Sequence, residues 1–431
     1  MCSLARLVPV IGAAMVFVGC GGSQPPIGPP GTMAQSRAIA SANLIANRMT
    51  RSSYKVLYSF TGGSDGAYPR AGLLNIRGTL YGATSDYRQA FTCTDHRFCG
   101  TVYRLSATGA HKVLHRFHIG HVNAREPLAT LIEAHGTFYG TTILGGSSKR
   151  GTVYAISTGG KVKYLHDFTG GSDGAYPVAP LVNVNGTLYG TTTSSGKGWG
   201  CNGGCGVVYS ISTNGTEMVL HKFTGYPSDG SFPVGRLIDV NGTLYGTTKN
   251  GGSNGFGTVY SISTTGKESV LHSFNLSSSR SDGATPFAGL IDVNGTLYGT
   301  TFAGGQDYGG TVYSISTTGL EKVLYSFADG SDGYQPVAGL IAVNGMLYGT
   351  TEQGGGLGGC TPGGCGTVYR VSTTGKEQVL HRFGHGSDGE DPAADLIDSN
   401  GMLYGTTLRG GGGGCDQSGS SGCGTVFELS P

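Results

Sequence analysis

Asn294-Gly-Thr-Leu-Tyr-Gly-Thr-Thr301 occurs seven times with small changes, and the rest of the chain is spaced by the copies. Its tyrosine returns as Tyr81, Tyr139, Tyr189, Tyr245, Tyr298, Tyr348 and Tyr404, at intervals of 50 to 58 residues. Asn-Gly between two apolar runs is a hairpin signal, because a type I′ turn takes positive φ at both central residues. A period near 50 marks one supersecondary unit repeated, in the range of propeller blades.

Working outward from residue 294, a short apolar strand (290–293) precedes the turn and Thr-Leu-Tyr-Gly-Thr-Thr comes after it. Beyond a glycine-rich loop of variable length lies Gly310-Thr-Val-Tyr-Ser-Ile-Ser316, then a Thr-Thr-Gly turn and a Val-Leu-Tyr-Ser-Phe strand ending at Phe327. These four strands, A to D, form an antiparallel meander too glycine-rich to bury a core alone, so blades must pack face to face. The chain opens with a D strand (55–60), runs through six complete units, and closes with A, B and C of a seventh (396–429). The count predicts an all-β, seven-bladed propeller of four-stranded antiparallel blades, closed by the N-terminal strand so that no sheet edge is left open.

The repeated string, read from Asp282-Gly-Ala-Thr-Pro-Phe-Ala-Gly-Leu-Ile to Phe327, resembles the GloVer repeat of exported bacterial proteins and has the strand order of a kelch-type blade. The resemblance covers residues 54 to 430 and implies a propeller in an exported protein. It implies no activity, since that repeat family carries no agreed one. The first blade departs from the pattern: residues 118 to 127 lack Ser-Asp-Gly, and Tyr81-Gly-Ala-Thr84 has lost a threonine.

Ahead of the repeat, Arg6, the apolar run 7–18 and small residues before Cys20 read as a signal peptide (1–19). Phe17-Val-Gly-Cys20 resembles the lipobox of bacterial lipoproteins, which implies lipidation of Cys20 and attachment to the cell envelope, facing the periplasm or the surface. Residues 20–53, rich in Gly and Pro at their start, read as a flexible tether, and 54–431 as the propeller. The 431 residues hold 80 glycines, only 13 % charged residues and a formal net charge of +2. With no basic run, nucleic acid is not an expected partner, and the chain reads as a monomer.

Eight of the ten cysteines form local pairs, Cys93/Cys99, Cys201/Cys205, Cys360/Cys365 and Cys415/Cys423, each in a B-to-C loop. In an exported protein these read as disulfides rather than zinc ligands, because pairs spread around a ring cannot converge. His115, His166, His221, His272 and His381 share one D-strand position with Tyr58 and Tyr325, which points to a structural role. The Ser-Asp-Gly aspartates (Asp65, Asp173, Asp229, Asp282, Asp332, Asp388) read as turn caps; one carboxylate per loop is too few for calcium. Glu133, Asp239, Asp292 and Asp398, with Asn75 and Asn183, could face the channel as a weak cation site. The Asn-Gly-Thr sequons at Asn185, Asn241 and Asn294 are already explained by the turn.

No catalytic motif, cofactor fingerprint or metal set emerges. The sequence therefore reads as a non-catalytic binding or scaffolding module. The alternative is a propeller lyase or hydrolase, acting on glycans for instance, with its site in the central funnel. Blade-specific polar residues at the axis would favour the enzyme, and blades alike there the scaffold. A protein or glycan ligand is expected on the rim that gathers the B-to-C and D-to-A loops, with Trp199 and Arg97 as weak contact candidates.

Overall fold

The structure, a computed structural model, describes residues 53–85, 99–118, 124–195, 201, 204–276, 282–328, 330–356, 360, 364–384, 386–412, 414–415 and 422–431. Within the unit Ser52–Pro431 it forms seven four-stranded antiparallel sheets, and one blade describes all of them. In the fifth, strands Ile291–Val293, Thr296–Thr301, Thr311–Ser316 and Glu321–Ser326 lie in that order across the sheet. Asn294 and Gly295 connect the first two with φ of 54° and 83°, the type I′ signature. The strand Tyr54–Ser59 pairs with Thr425–Leu429 as the fourth strand of the last sheet, so the first and last strands of the repeat region share one blade.

Burial explains the repeat. Alternate residues of each C strand face opposite seams: Tyr260 and Ile262 pack with Tyr189, Val208 and Phe223 of the preceding blade. Val259 packs instead with Leu297 and Tyr313 of the following one. The D-strand phenylalanine crosses the seam edge-on to the next C-strand ring, as in Phe274–Tyr313 at 5.2 Å and, through the ring closure, Phe60–Tyr103 at 5.2 Å. Such pairs add about 0.5–1.5 kcal/mol each beyond the area they bury.

Every D strand also carries a bulge at its leucine. In blade four His272 lies opposite Val259 while Val270 lies opposite Tyr260, with Leu271 as the extra residue. Because side chains alternate with period two, one inserted residue reverses the facing of every side chain beyond it. Glu268 therefore faces the preceding blade and His272 the following one.

A third device sets the blade spacing. Gly257, before its C strand, has φ +100°, and a Cβ there would meet Pro286 Cδ of the next blade at 2.6 Å. The same Gly–Pro contact closes the ring between Gly424 and Pro69. Gly257→Ala is expected to cost at least the ~1–3 kcal/mol of a strained backbone, read as a lower urea midpoint. Deleting residues 50–60 should expose the edge of Thr425–Leu429 and abolish a single cooperative melt. A truncated chain that melts like the parent overturns the closure.

Candidate functional site

The D-to-A loop of each blade ends beside the axis, in the residues after its proline. There the walls of a cavity of about 150 Å³ include Arg70, Thr130, Arg236, Phe287 and Asp395. The blades thus differ at the axis, contrary to the alikeness that a plain scaffold implies. Most of these polar groups are already engaged. Thr130 Oγ1 accepts from the Gly72 amide at 2.8 Å, and Asp395 Oδ1 from the Gly339 amide at 2.6 Å. Arg236 Nε stands 3.8 Å from Asp395 Oδ2. Among the described residues, no Ser, Cys, His or Glu lines the cavity; its ionisable groups are Arg70, Arg236 and Asp395, and its hydroxyl is that of Thr130.

The surroundings of the funnel differ from one side to the other. On one side Phe287 packs against Phe302 at 5.1 Å, with Lys249 Nζ 4.5 Å over its ring. On the other, Arg409 pairs with Asp391 at 3.3 Å. Burial pushes Asp391 up to about 6, the Arg409 charge opposing it and Glu352 and Glu390 adding to it. D-to-A and B-to-C loops bridge directly, as in Ser231↔Asn250 and Glu390↔Arg409, so they share a rim as expected. The residue before each proline is held at φ between 54° and 59° although none is glycine; Thr285 and Phe232 are two of them. Left-handed backbone at bulky or β-branched residues is uncommon. It is fixed here by bonds across the seam, such as Phe232 N–H to Cys205 O at 2.9 Å.

Away from the axis, the repeated histidines and aspartates meet in the seams. Asp229 accepts from the Thr224 and Gly230 amides at 2.8 and 2.6 Å and lies 3.1 Å from His221 Nε2. Asp282 and Asp388 repeat this with His272 and His381, each at 3.2 Å. Where tyrosine replaces histidine the bond persists, as in Tyr58 to Asp65 at 2.9 Å and Tyr325 to Asp332 at 2.8 Å. Turn capping and a structural histidine are thus both seen. Burial alone would raise Asp229, but the His221 and amide hydrogen bonds outweigh it and hold the carboxyl below its ordinary range.

Sequence reasoning missed a further partner. Glu217, Glu268, Glu321 and Glu377 reach these clusters from the next blade. Burial first, and then the neighbouring aspartate, pushes each up to about 7. One signal was legible: the seam whose loop lacks Ser-Asp-Gly also has Val162 in place of the glutamate. The two carboxyls are lost together.

The model of the Gloeobacter/Verrucomicrobia repeat family matches residues 44–201 and 198–362. The chain belongs to that family. No curated protein matches this repeat protein. Among solved structures it is similar to a candidate 6-phosphogluconolactonase from Bacteroides uniformis, at 13 % identity over 76 % of this chain and 89 % of that one, TM-score 0.48. A gluconolactonase from Xanthomonas campestris shows 11 % identity over 90 % and 92 %, TM-score 0.43. PorZ, a surface component of the type-IX secretion system of Porphyromonas gingivalis, shows 14 % over 86 % and 48 %, TM-score 0.48. Likeness this distant carries no activity over to the repeat protein.

Cys20, Cys93, Arg97 and Trp199 lie outside the described residues of the repeat protein. Cys201–Cys205, Cys360–Cys365 and Cys415–Cys423 are disulfides, and Cys99 is buried. Two bridges rest on glycines of the facing D-to-A loop, Gly62 and Gly225, where a Cβ would meet sulfur within 3.0 Å. Five of the six strand-A groups bond their own turn glycine amide: Asp239, Asp292 and Asn183 at 3.0 Å, Asn75 at 2.9 Å, and Glu133.

The raised glutamates give stability a pH dependence. Their folded values near 7 exceed the ordinary 4.5, so the folded chain holds more protons between these limits and stability falls as pH rises through that window. The depressed Asp229 and Asp65 act oppositely, losing their contribution below about pH 4. In chelator-containing buffer the urea midpoint should drop between pH 5 and pH 8. Glu217→Gln with Glu377→Gln should flatten that drop, and a midpoint independent of pH would contradict the assignment.

Proposed function

We propose that this chain is an exported binding module, held to the cell envelope through Cys20, which engages a protein partner on its loop-rich rim and seats one partner group in the axial funnel. The carrying observation is the cavity itself. At about 150 Å³ it is the size of a space that holds benzene, below the ~300–1,000 Å³ typical of small-molecule sites. It opens to solvent and has room for one side chain projecting from a partner. Its walls mix Phe287 and Val337 with Arg70, Arg236 and Asp395, the mixture that anchors a partly polar side chain.

Support for a binding surface also comes from the rim. Its loops are bridged to one another, backed by short disulfides and pinned at left-handed residues, which lowers the entropy cost of ordering them on a partner. Three disulfides fit an oxidising compartment, as does the signal-like segment ending at Cys20.

A photo-crosslinking residue at Phe287 and another at Asn294, on the opposite rim, separate the alternatives in the cell of origin. Adducts are expected from position 287 and not from 294, and filling the funnel with Thr130→Trp should reduce them at least tenfold. Adducts from 294 alone would refute the placement. Cys20→Ser should release the protein from the membrane fraction; retention there would refute the anchor.

A further inference from the structure

Two seams bring together a histidine, an aspartate and a glutamate that the sequence spreads over more than forty residues. In one, the ligand-type atoms of His221, Asp229 and Glu268 all lie within 4.8 Å of one another; in the next, those of His272, Asp282 and Glu321 do. We propose that these two seams are binding sites for a divalent transition-metal ion of the zinc type, each clamping two adjacent blades.

The donor set selects the ion. One imidazole and two carboxylates suit zinc or a similar borderline ion, whereas calcium takes oxygen ligands alone and needs six to eight of them. Ligands about 2.1 Å from a tetrahedral centre stand roughly 3.4 Å apart, and His221 Nε2–Asp229 Oδ2 and His272 Nε2–Asp282 Oδ2 measure 3.1 and 3.2 Å. Both aspartates are oriented by backbone amides, Asp229 by Thr224 at Oδ2 and Gly230 at Oδ1, and Asp282 by Asn275 at Oδ2 and Gly283 at Oδ1. Such outer bonds hold metal-ligating carboxylates in place. Three protein ligands leave a fourth position for water, and the partial exposure of the His and Asp side chains gives an ion access.

Unpaired polar atoms lie in and near both clusters. Tyr260 and Tyr313 are fully buried with hydroxyls that have no hydrogen-bond partner among the described residues, but Tyr103, Tyr154, Tyr209 and Tyr369 share that state, so it belongs to the repeat and not to these two seams. The inner oxygens Glu268 Oε1 and Glu321 Oε1 are also unpaired, as are those of Glu217 and Glu377, but only the first two stand within 4.8 Å of both a histidine nitrogen and an aspartate oxygen. Each phenol lies within electrostatic reach of both carboxylates of its own cluster. The phenols lie against the B-strand glycines, as at Gly246 and Gly299, whereas the idle glutamate oxygens belong to the clusters themselves and are acceptors that a bound ion would take up.

The other seams are built-in controls. Tyr325 stands for the histidine beside Asp332, His111 and Tyr54 stand for the glutamate beside Asp65 and Asp388, and Val162 faces a loop without the aspartate. The seam of His166, Asp173 and Glu217 has the residue types but does not draw its three atoms within 4.8 Å.

The full chain, stripped with a chelator, incubated with Zn²⁺ and passed through gel filtration, should retain two zinc ions by mass spectrometry. His221→Tyr with His272→Tyr copies the tyrosines at positions 58 and 325, which keep the bond to aspartate, so the fold survives while the imidazoles go. This variant should lose both ions, either single variant one, and Glu377→Gln none. Glu268→Gln with Glu321→Gln gives a second route to the same loss. A parent that retains no zinc, or a double variant whose content does not fall by two, overturns the proposal.

Discussion

Blade spacing in this ring depends on a contact that only glycine permits. Before each C strand the backbone turns through a left-handed glycine, and the proline of the next blade fills the place its Cβ would take, seven times from Gly100 with Pro127 to Gly424 with Pro69. The proline in turn fixes the entry of the next A strand, so one contact sets both the gap between blades and the direction in which the following chain reaches the axis. With the gap set, Phe and Tyr rings meet edge-on across each seam and the aliphatic core closes behind them.

That arrangement puts two kinds of polar chemistry in different places. At the axis, the ends of the D-to-A loops converge, and seven similar segments can there present different side chains. Arg70, Thr130, Arg236 and Asp395 stand at two repeat positions that are small or apolar in the remaining blades, so the asymmetry of the funnel comes from substitution and not from backbone. In the seams the logic is reversed. There the same residues recur, and their value lies in being brought opposite one another by the repeat itself.

The bulge at each D-strand leucine makes those seam clusters. Glu268 and His272 are four residues apart and would share a face in a regular strand. The extra residue at Leu271 divides them, so one D strand gives its glutamate to the seam behind and its histidine to the seam ahead. A chain of blades linked in this way has each seam completed by residues from two repeats, which is why the cluster has no contiguous motif. The paired loss in the seam of His115, where the loop lacks the aspartate and Val162 stands for the glutamate, likewise falls on two repeats that share one seam.

The fold was legible in the sequence because its causes are local and repeated. Positive φ at Asn294-Gly295, the glycine before each C strand and the strand count of one, six units and three are all read from short windows, and seven copies average out their noise. The structural role of the D-strand histidines was legible for the same reason, since Tyr58 and Tyr325 stand in their place. Which groups meet was decided only by the tertiary structure. A one-residue bulge leaves no mark in composition yet reverses the facing of every later side chain, so Glu268 could not be paired with Asp229 by spacing. The funnel likewise draws single residues from blades some 50 positions apart, and distance along the chain carries no information about convergence on an axis. The strand-A carboxylates show the limit from the other side: Asp239 and Asp292 are exposed, but the nearest unpaired donor is the amide of their own turn glycine, and the shorter reach wins.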